Sequence, residues 1–306
     1  MQDTPDTAPQ RRGPPWIDPA IQRLIEWRDG DVVVSVPPKS GTTWTMNIVH
    51  QLLRGGTDGF DDIYAEVPWI EFLSGPQETQ QDVADRVAAM DRGRRRAFKS
   101  HSAPPDLPFM ERGADVKYVV IFRNPEEALV SFQPFLAQHA PEWHALWGMP
   151  HGLLTRPDFP SFYREVIDAA GMQGAFFGFL QAWWPFRHRE NVLFLHYSDM
   201  KRDHEGSIRR IASFIGAAPT EAQWPDILEY TSFAWMKRHE EKFEARSASD
   251  TPILQPGAMI RKGAAGAAHA DGMTDEIAAH LRAVGRLICP EEAAVEWFYR
   301  GGALPG

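Results

Sequence analysis

The run Pro38-Lys39-Ser40-Gly41-Thr42-Thr43-Trp44 sets an ammonium, a glycine and three hydroxyls side by side. It follows the apolar β-branched stretch Val32 to Val36, which reads as a buried strand, and Pro37-Pro38 prevents that strand from extending. Beyond it, Trp44, Ile48, Val49 and Leu52 fall on one stripe of a helix running from about Thr42 to Leu53. A strand therefore becomes a helix at a lysine and a glycine. A helix start offers unpaired N–H groups and a partial positive charge. Gly41 lets a backbone approach a ligand closely, Ser40, Thr42 and Thr43 add short donors, and Lys39 adds a full charge. That combination suits a bound phosphate or sulfate. It is not the ATP-binding pattern G-x-x-x-x-G-K-[ST], because the lysine precedes the glycine and the loop is shorter.

Two further strand ends carry chemistry. Phe98-Lys99-Ser100-His101 closes a strand around Ala97, and a neutral imidazole there can accept a proton near pH 7. Lys99 beside it can stabilise developing negative charge. The strand Val116 to Phe122 leads into Arg123-Asn124-Pro125, with Ser131 eight residues after the arginine. Arg123 either grips a phosphate through its planar fork or pairs with Glu126 or Glu127. The cluster Arg92, Arg94, Arg95 and Arg96 reads as a solvated helix C-terminus.

The elements that position these groups are legible from pattern. Helices are expected over 19–28, 78–91, 160–169 and 174–187, another from Pro125 with Ala128, Leu129 and Phe132 inward, and a strand over 191–195. Residues 135–160 read as loop, residues 1–15 as a disordered tail without an export signal, and 257–273 as a Gly/Ala-rich interruption in a mostly helical C-terminal part. Strands separated by helices imply parallel βαβ units: one α/β domain over 16–306, a central parallel β-sheet flanked by helices. Ligands then bind at the strands' carboxyl ends.

Composition bounds the function. The 306 residues carry a formal charge of −9, which argues against nucleic acid as a partner. No run approaches the roughly 18 apolar residues of a membrane span. Cys289 is the only cysteine, so no intramolecular disulfide forms and a reducing cytoplasm is the natural compartment. Only 7 of the 32 basic residues are lysines, which makes Lys39 and Lys99 conspicuous.

With P-K-S-G-T-T-W intact, the first loop resembles the P-loop-like 5′-phosphosulfate loop of cytosolic-type sulfotransferases. These enzymes move a sulfuryl group from 3′-phosphoadenosine 5′-phosphosulfate (PAPS) to a hydroxyl or amine. The resemblance implies that Lys39 contacts the bridging oxygen, Ser40, Gly41, Thr42 and Thr43 hold the 5′-phosphate region, and Trp44 stacks on adenine; the alternative for Trp44 is plain core packing. Lys99-Ser100-His101 is similar to the family's K-T-H, whose histidine is the general base. Arg123 and Ser131 match its 3′-phosphate motif, and Arg261-Lys262-Gly263 its R-K-G triplet at the same phosphate. There the family continues G-D-W, whereas this chain has Gly266-Ala267-Ala268. Tyr197, and Ser232 and Phe233 in Thr231-Ser232-Phe233, match the adenine pocket. Val67-Pro68-Trp69 resembles V-P-F, which makes Trp69 and Phe135 aromatic gates of an acceptor pocket. The likeness runs over about residues 30–268 and implies a small-molecule hydroxyl acceptor (a phenol or alcohol, largely apolar), no metal, and a monomer or homodimer.

His139, His144 and His151 lack metal-ligand spacing. Trp143 and Trp147, four apart, either share a helical face over the acceptor or pack within the loop. Two rivals remain from the sequence: a P-loop-type small-metabolite kinase, disfavoured by the missing G-K-[ST], and a nucleotide-binding protein without catalysis.

Overall fold

A computed structural model describes residues 13–107, 114–247, 249–263 and 266–306; most of the expected N-terminal tail, residues 1–12, lies outside them. Four strands, β1 (Val32–Ser35), β2 (Ala97–Ser100), β3 (Lys117–Phe122) and β4 (Val192–His196), form one sheet in the order β2-β1-β3-β4. Every pairing is parallel, with Ser35 opposite Ser100 and Phe122 opposite His196.

Successive side chains enter different cores, as the two-residue period of a strand requires. Val33, Tyr118, Val120, Phe122 and Phe194 join one cluster with Phe176, Phe177 and Trp183. Val32, Val34, Val119, Ile121 and Leu195 join the other with Ile48, Val49 and Ile208. Both faces are covered, the usual state of an all-parallel sheet. Because the strands run the same way, their carboxyl ends share one edge. His101, Arg123 and Tyr197 are each the first residue past a strand, and Lys39 lies on the loop after β1. The chain goes from β1 to β2 on one side and later to β3 on the other, so β1 and β3 flank the point where strand order reverses. A crevice opens at such a point.

The helix Thr42–Arg54 matches its expected span, and the helix Pro125–Ala137 starts at its expected proline, capped by the Asn124 side chain on Glu126 N–H. Other expectations change. The segment expected as helix 19–28 is a short 3₁₀ helix, Pro19–Leu24, capped by Asp18, and the helix expected over 78–91 is trimmed to Gln80–Ala88 by a Thr79–Asp82 capping box. The stretch 135–160 is not all loop. The preceding helix continues through Pro134 to Ala137, and a second helix, Pro141–Leu146, begins on a proline with its N–H demand already removed. Trp143 and Trp147 pack on each other and on Trp16, beneath Phe72, and neither is among the residues lining the cavity at the sheet edge.

The arginine cluster also departs from its reading. Arg96 is 2% exposed and bidentate on Asp31, through Nε at 2.9 Å and Nη2 at 2.5 Å, and it also donates to the Glu26 and Val87 carbonyls. It closes the start of β2 against the start of β1. Arg96→Ala leaves a buried carboxylate without its counter-ion, with only the Arg28 N–H among the described residues still donating to it, so a loss of about 3–5 kcal/mol in unfolding free energy is expected. Urea denaturation checks this, and a variant within about 0.5 kcal/mol of the parent protein would show the pair to be incidental.

Candidate active site

All the expected site residues except Ser40 and Trp69 line one cavity of about 390 Å³ at the carboxyl edge of the sheet, a size within the range of small-molecule sites. Its floor is the loop after β1. Gly41 has φ +97°, and a Cβ there would sit 2.9 Å from Tyr197 Cδ2, so both backbone and space demand glycine. Lys39 itself holds φ +59°, a left-handed conformation that non-glycine residues adopt mainly at constrained functional turns. Among the described residues, no chain acceptor takes the backbone N–H groups of Lys39, Ser40 or Gly41. The Ser40 side chain is fully buried and bonds the Pro38 carbonyl at 3.4 Å, so its hydroxyl does not line the cavity as the sequence had suggested. Thr42 and Thr43 do line it.

Two lysines meet here on aromatic faces. Lys39 Nζ lies 4.2 Å from the Phe135 ring centre and Lys99 Nζ 3.4 Å from that of Trp69, contacts that partly repay desolvation. Burial pulls the Lys39 ammonium down to about 7, helped by Arg123 and Arg261. Burial likewise pulls Lys99 down to about 7, with Glu71 opposing and Lys39 reinforcing. Phe135 lines the cavity; Trp69 stands behind Lys99 instead of at the wall.

His101 packs edge-on against Trp69, with ring centres 4.9 Å apart. Its Nδ1 bonds the Val36 carbonyl oxygen. A carbonyl only accepts, so Nδ1 carries the proton and Nε2 keeps its lone pair. Burial, then Lys99, then Lys39 lower the imidazole to about 3, against the Val36 bond. The ring is therefore held neutral to well below the usual histidine range. A buried network sets its position. Glu71 Oε1 accepts from the Ser100 hydroxyl, from Ser102 N–H at 3.2 Å and from Gln22 Nε2 at 2.9 Å, gripping the residues on both sides of His101. Glu71 is pushed up by burial. Pattern reading missed it, since a single acid after Ile70 gives no periodic signal.

Arg123 reaches across the β1–β3 crevice. Nη1 donates to the Lys39 carbonyl at 3.0 Å, Nε to Glu127 Oε2 at 3.1 Å, and the guanidinium lies 4.7 Å over Tyr197. Both sequence readings of Arg123 thus meet in one place: it pairs with Glu127 and it lines the cavity beside Ser131. Arg261, Lys262 and Gly263 line the same end. Gly263 sits at φ +58° directly on Phe233, where a Cβ would fall 2.4 Å from Cε2. Lys262 pairs with Asp271 at 2.6 Å, and the Gly266 N–H donates to Glu127 Oε1 at 2.7 Å. Ala267 and Ala268 complete the wall where the sequence lacks Asp-Trp.

Trp44 Nε1 donates to the Thr231 carbonyl at 2.9 Å, and His204 stacks on the indole with centres 5.8 Å apart. Tyr197, Ser232 and Phe233 line the same cavity. His204 and Lys201 line it too, and neither had a motif to reveal it. The histidines of 139–151 do not form a competing centre. His139 is buried, bonds Leu136 O and is lowered by burial to about 4, and no group of three or more His, Cys, Asp or Glu among the described residues is arranged to hold a metal. No described helix is long and apolar enough to cross a membrane.

Residues 29–295 match the family described as the sulfotransferase domain. Rat sulfotransferase 1A1 is 29% identical over 229 residues, 72% of this chain and 70% of its own. Human sulfotransferase 1C2 is 27% identical over 247 residues, 79% and 77% of the two chains. Among solved structures, a mouse sulfotransferase complexed with PAP superposes with a TM-score of 0.67 at 18% identity, over 94% of each chain. Retinol dehydratase in complex with androsterone and inactive cofactor PAP gives 0.66 at 21%, over 94% of this chain and 85% of that one.

Proposed function

The chain belongs to the sulfotransferase domain family, and on that premise we propose that it transfers a sulfuryl group from PAPS to a hydroxyl of a largely apolar acceptor. The observation that carries this reading is His101 with its lone pair at Nε2, on the same sheet edge as the Lys39–Thr43 loop and its unclaimed N–H groups. The loop's N–H groups, Thr42 and Thr43 receive the 5′-phosphate. Arg123, Ser131 and the Arg261–Gly263 backbone receive the 3′-phosphate, while Trp44, Tyr197, Ser232 and Phe233 receive adenine. The acceptor stands against Phe135, whose ring supports an apolar body beside the reacting hydroxyl, while Trp69 backs Lys99.

His101 Nε2 takes the hydroxyl proton as the acceptor oxygen bonds to sulfur. The bond from sulfur to the bridging oxygen breaks, and that oxygen keeps the electron pair as part of adenosine 3′,5′-bisphosphate (PAP). Lys39 meets the charge growing on the bridging oxygen, and Lys99 the charge on the sulfuryl oxygens. Two cations suffice for a transferred group that carries less charge than a phosphoryl.

Incubation with PAPS and a panel of phenols and alcohols is expected to yield an acceptor heavier by one SO₃ in mass spectrometry, and PAP is expected to raise Tm through preferential binding to the native state. Stabilisation by ATP–Mg²⁺ instead of PAP, with no mass gain on any acceptor, would point to the kinase reading.

A further inference from the structure

We propose that Glu127 is the positioning residue that joins the two sides of the 3′-phosphate subsite, orienting Arg123 on one and fixing the backbone at Gly266 on the other. This rests on the PAPS reading above. Both Glu127 oxygens are committed: Oε2 accepts from Arg123 Nε at 3.1 Å, and Oε1 accepts from Gly266 N–H at 2.7 Å. The carboxylate and the guanidinium are 10% and 12% exposed. Glu127 sits in the first turn of its helix, where the macrodipole favours negative charge.

Among the described residues Arg123 is held by Glu127 at Nε, by the Lys39 carbonyl at Nη1 and by Tyr197 on its face. A guanidinium fixed in this way loses little further freedom when a phosphate arrives. The competing role is a counter-ion that a phosphate must displace. That role uses one oxygen on Arg123 and gives no reason for the other to seize a backbone N–H from a segment far along the chain. The same wall carries the Lys262–Asp271 pair. The double engagement favours positioning.

The test compares calorimetric affinities for PAP and for adenosine 5′-phosphate, which lacks the 3′-group. The set is the parent protein, Glu127→Ala, Glu127→Gln, Arg123→Ala and the Arg123→Ala/Glu127→Ala pair. Glu127→Ala is expected to weaken PAP by about tenfold or more while adenosine 5′-phosphate changes by less than about twofold, the scale of one charge-assisted contact. Glu127→Gln, which keeps an acceptor for Gly266, is expected to fall between, and it carries the test if the alanine variant does not fold. In the Arg123→Ala background, removing Glu127 is expected to cost PAP less than about threefold, because its main effect runs through Arg123. Tighter PAP binding on losing Glu127, equal losses for both nucleotides, or full additivity with Arg123→Ala would overturn the proposal. A parent protein that binds PAP no better than adenosine 5′-phosphate would remove the subsite itself, and that result is separable because it precedes every variant.

Discussion

His101→Ala is expected to lower kcat by about 10² to 10⁴-fold, the usual contribution of a general base, and to leave PAP affinity nearly unchanged. The split follows from geometry. The ring holds its proton at Nδ1 on the Val36 carbonyl, so the side chain offers Nε2 to the acceptor. The groups proposed to hold the nucleotide lie on the loop after β1, on Arg123 and around Trp44, and all line the cavity without needing His101. The pH profile supplies a second constraint. With the imidazole lowered to about 3 by burial, Lys99 and Lys39, its base form persists throughout neutral and mildly acidic pH. No acid limb from His101 is expected in kcat/KM between about pH 5 and 7, in contrast to the limb near 6.5 that an unperturbed histidine would give. In the donor complex, sulfate and phosphate charge offsets the two lysines, so a limb in kcat belongs at higher pH than one in kcat/KM. Near-parent turnover of the least acidic acceptor by His101→Ala would exclude it as the base. A steep loss of kcat/KM centred near 6.5 would show that the ring is solvated in the working enzyme.

The parts of this molecule that sequence exposes are those set by local rules. Val32 to Val36 is rich in β-branched residues and is followed by Pro37-Pro38, so the strand and its exit loop need no tertiary information. Gly41 and the stripe from Trp44 to Leu52 mark the helix start for the same reason. His101, Arg123 and Tyr197 follow because the residue after a parallel strand faces the ligand edge whatever the rest of the chain does. What stayed hidden depends on distant partners. Arg96 looked like surface because three arginines precede it, and only the fold brings Asp31 beneath it. Glu71 became part of the site through Ser100 and Ser102, and His204 through Trp44. Trp69 was read as a wall of the acceptor pocket, but the need of Lys99 for a partner in a dry place put the indole under the ammonium. Helix Pro141–Leu146 was masked by the density of Trp, His and Pro around it, although proline at a first helical turn costs nothing.

The expected result for Lys39→Met, which keeps length and deletes the charge, is a fall in kcat of about 10² to 10³-fold, the loss typical of one preorganised electrostatic donor. The lysine's own environment adds a measurable signature. A pKa lowered to about 7 means that the donor-free protein loses the Lys39 charge as pH rises through that value, and Lys99 behaves alike. A bound nucleotide anion favours the ammonium, so it raises both pKa values and must draw protons from solvent. At pH 8, PAP binding is therefore expected to take up protons, seen as a calorimetric enthalpy that varies with the buffer's ionisation enthalpy; at pH 6, where both lysines are already charged, uptake should be small. The sign fixes the rate profile as well: kcat/KM for the donor falls above about pH 7, as the unliganded lysines deprotonate. In Lys39→Met the uptake at pH 8 should drop but not vanish. Lys99 still titrates, now without a neighbouring cation pressing its pKa down. Full activity in the variant would remove Lys39 from the chemistry. Zero uptake in the parent protein at pH 8 would show that the two ammoniums are charged before the nucleotide arrives, held so by the Phe135 and Trp69 faces and, for Lys99, by Glu71.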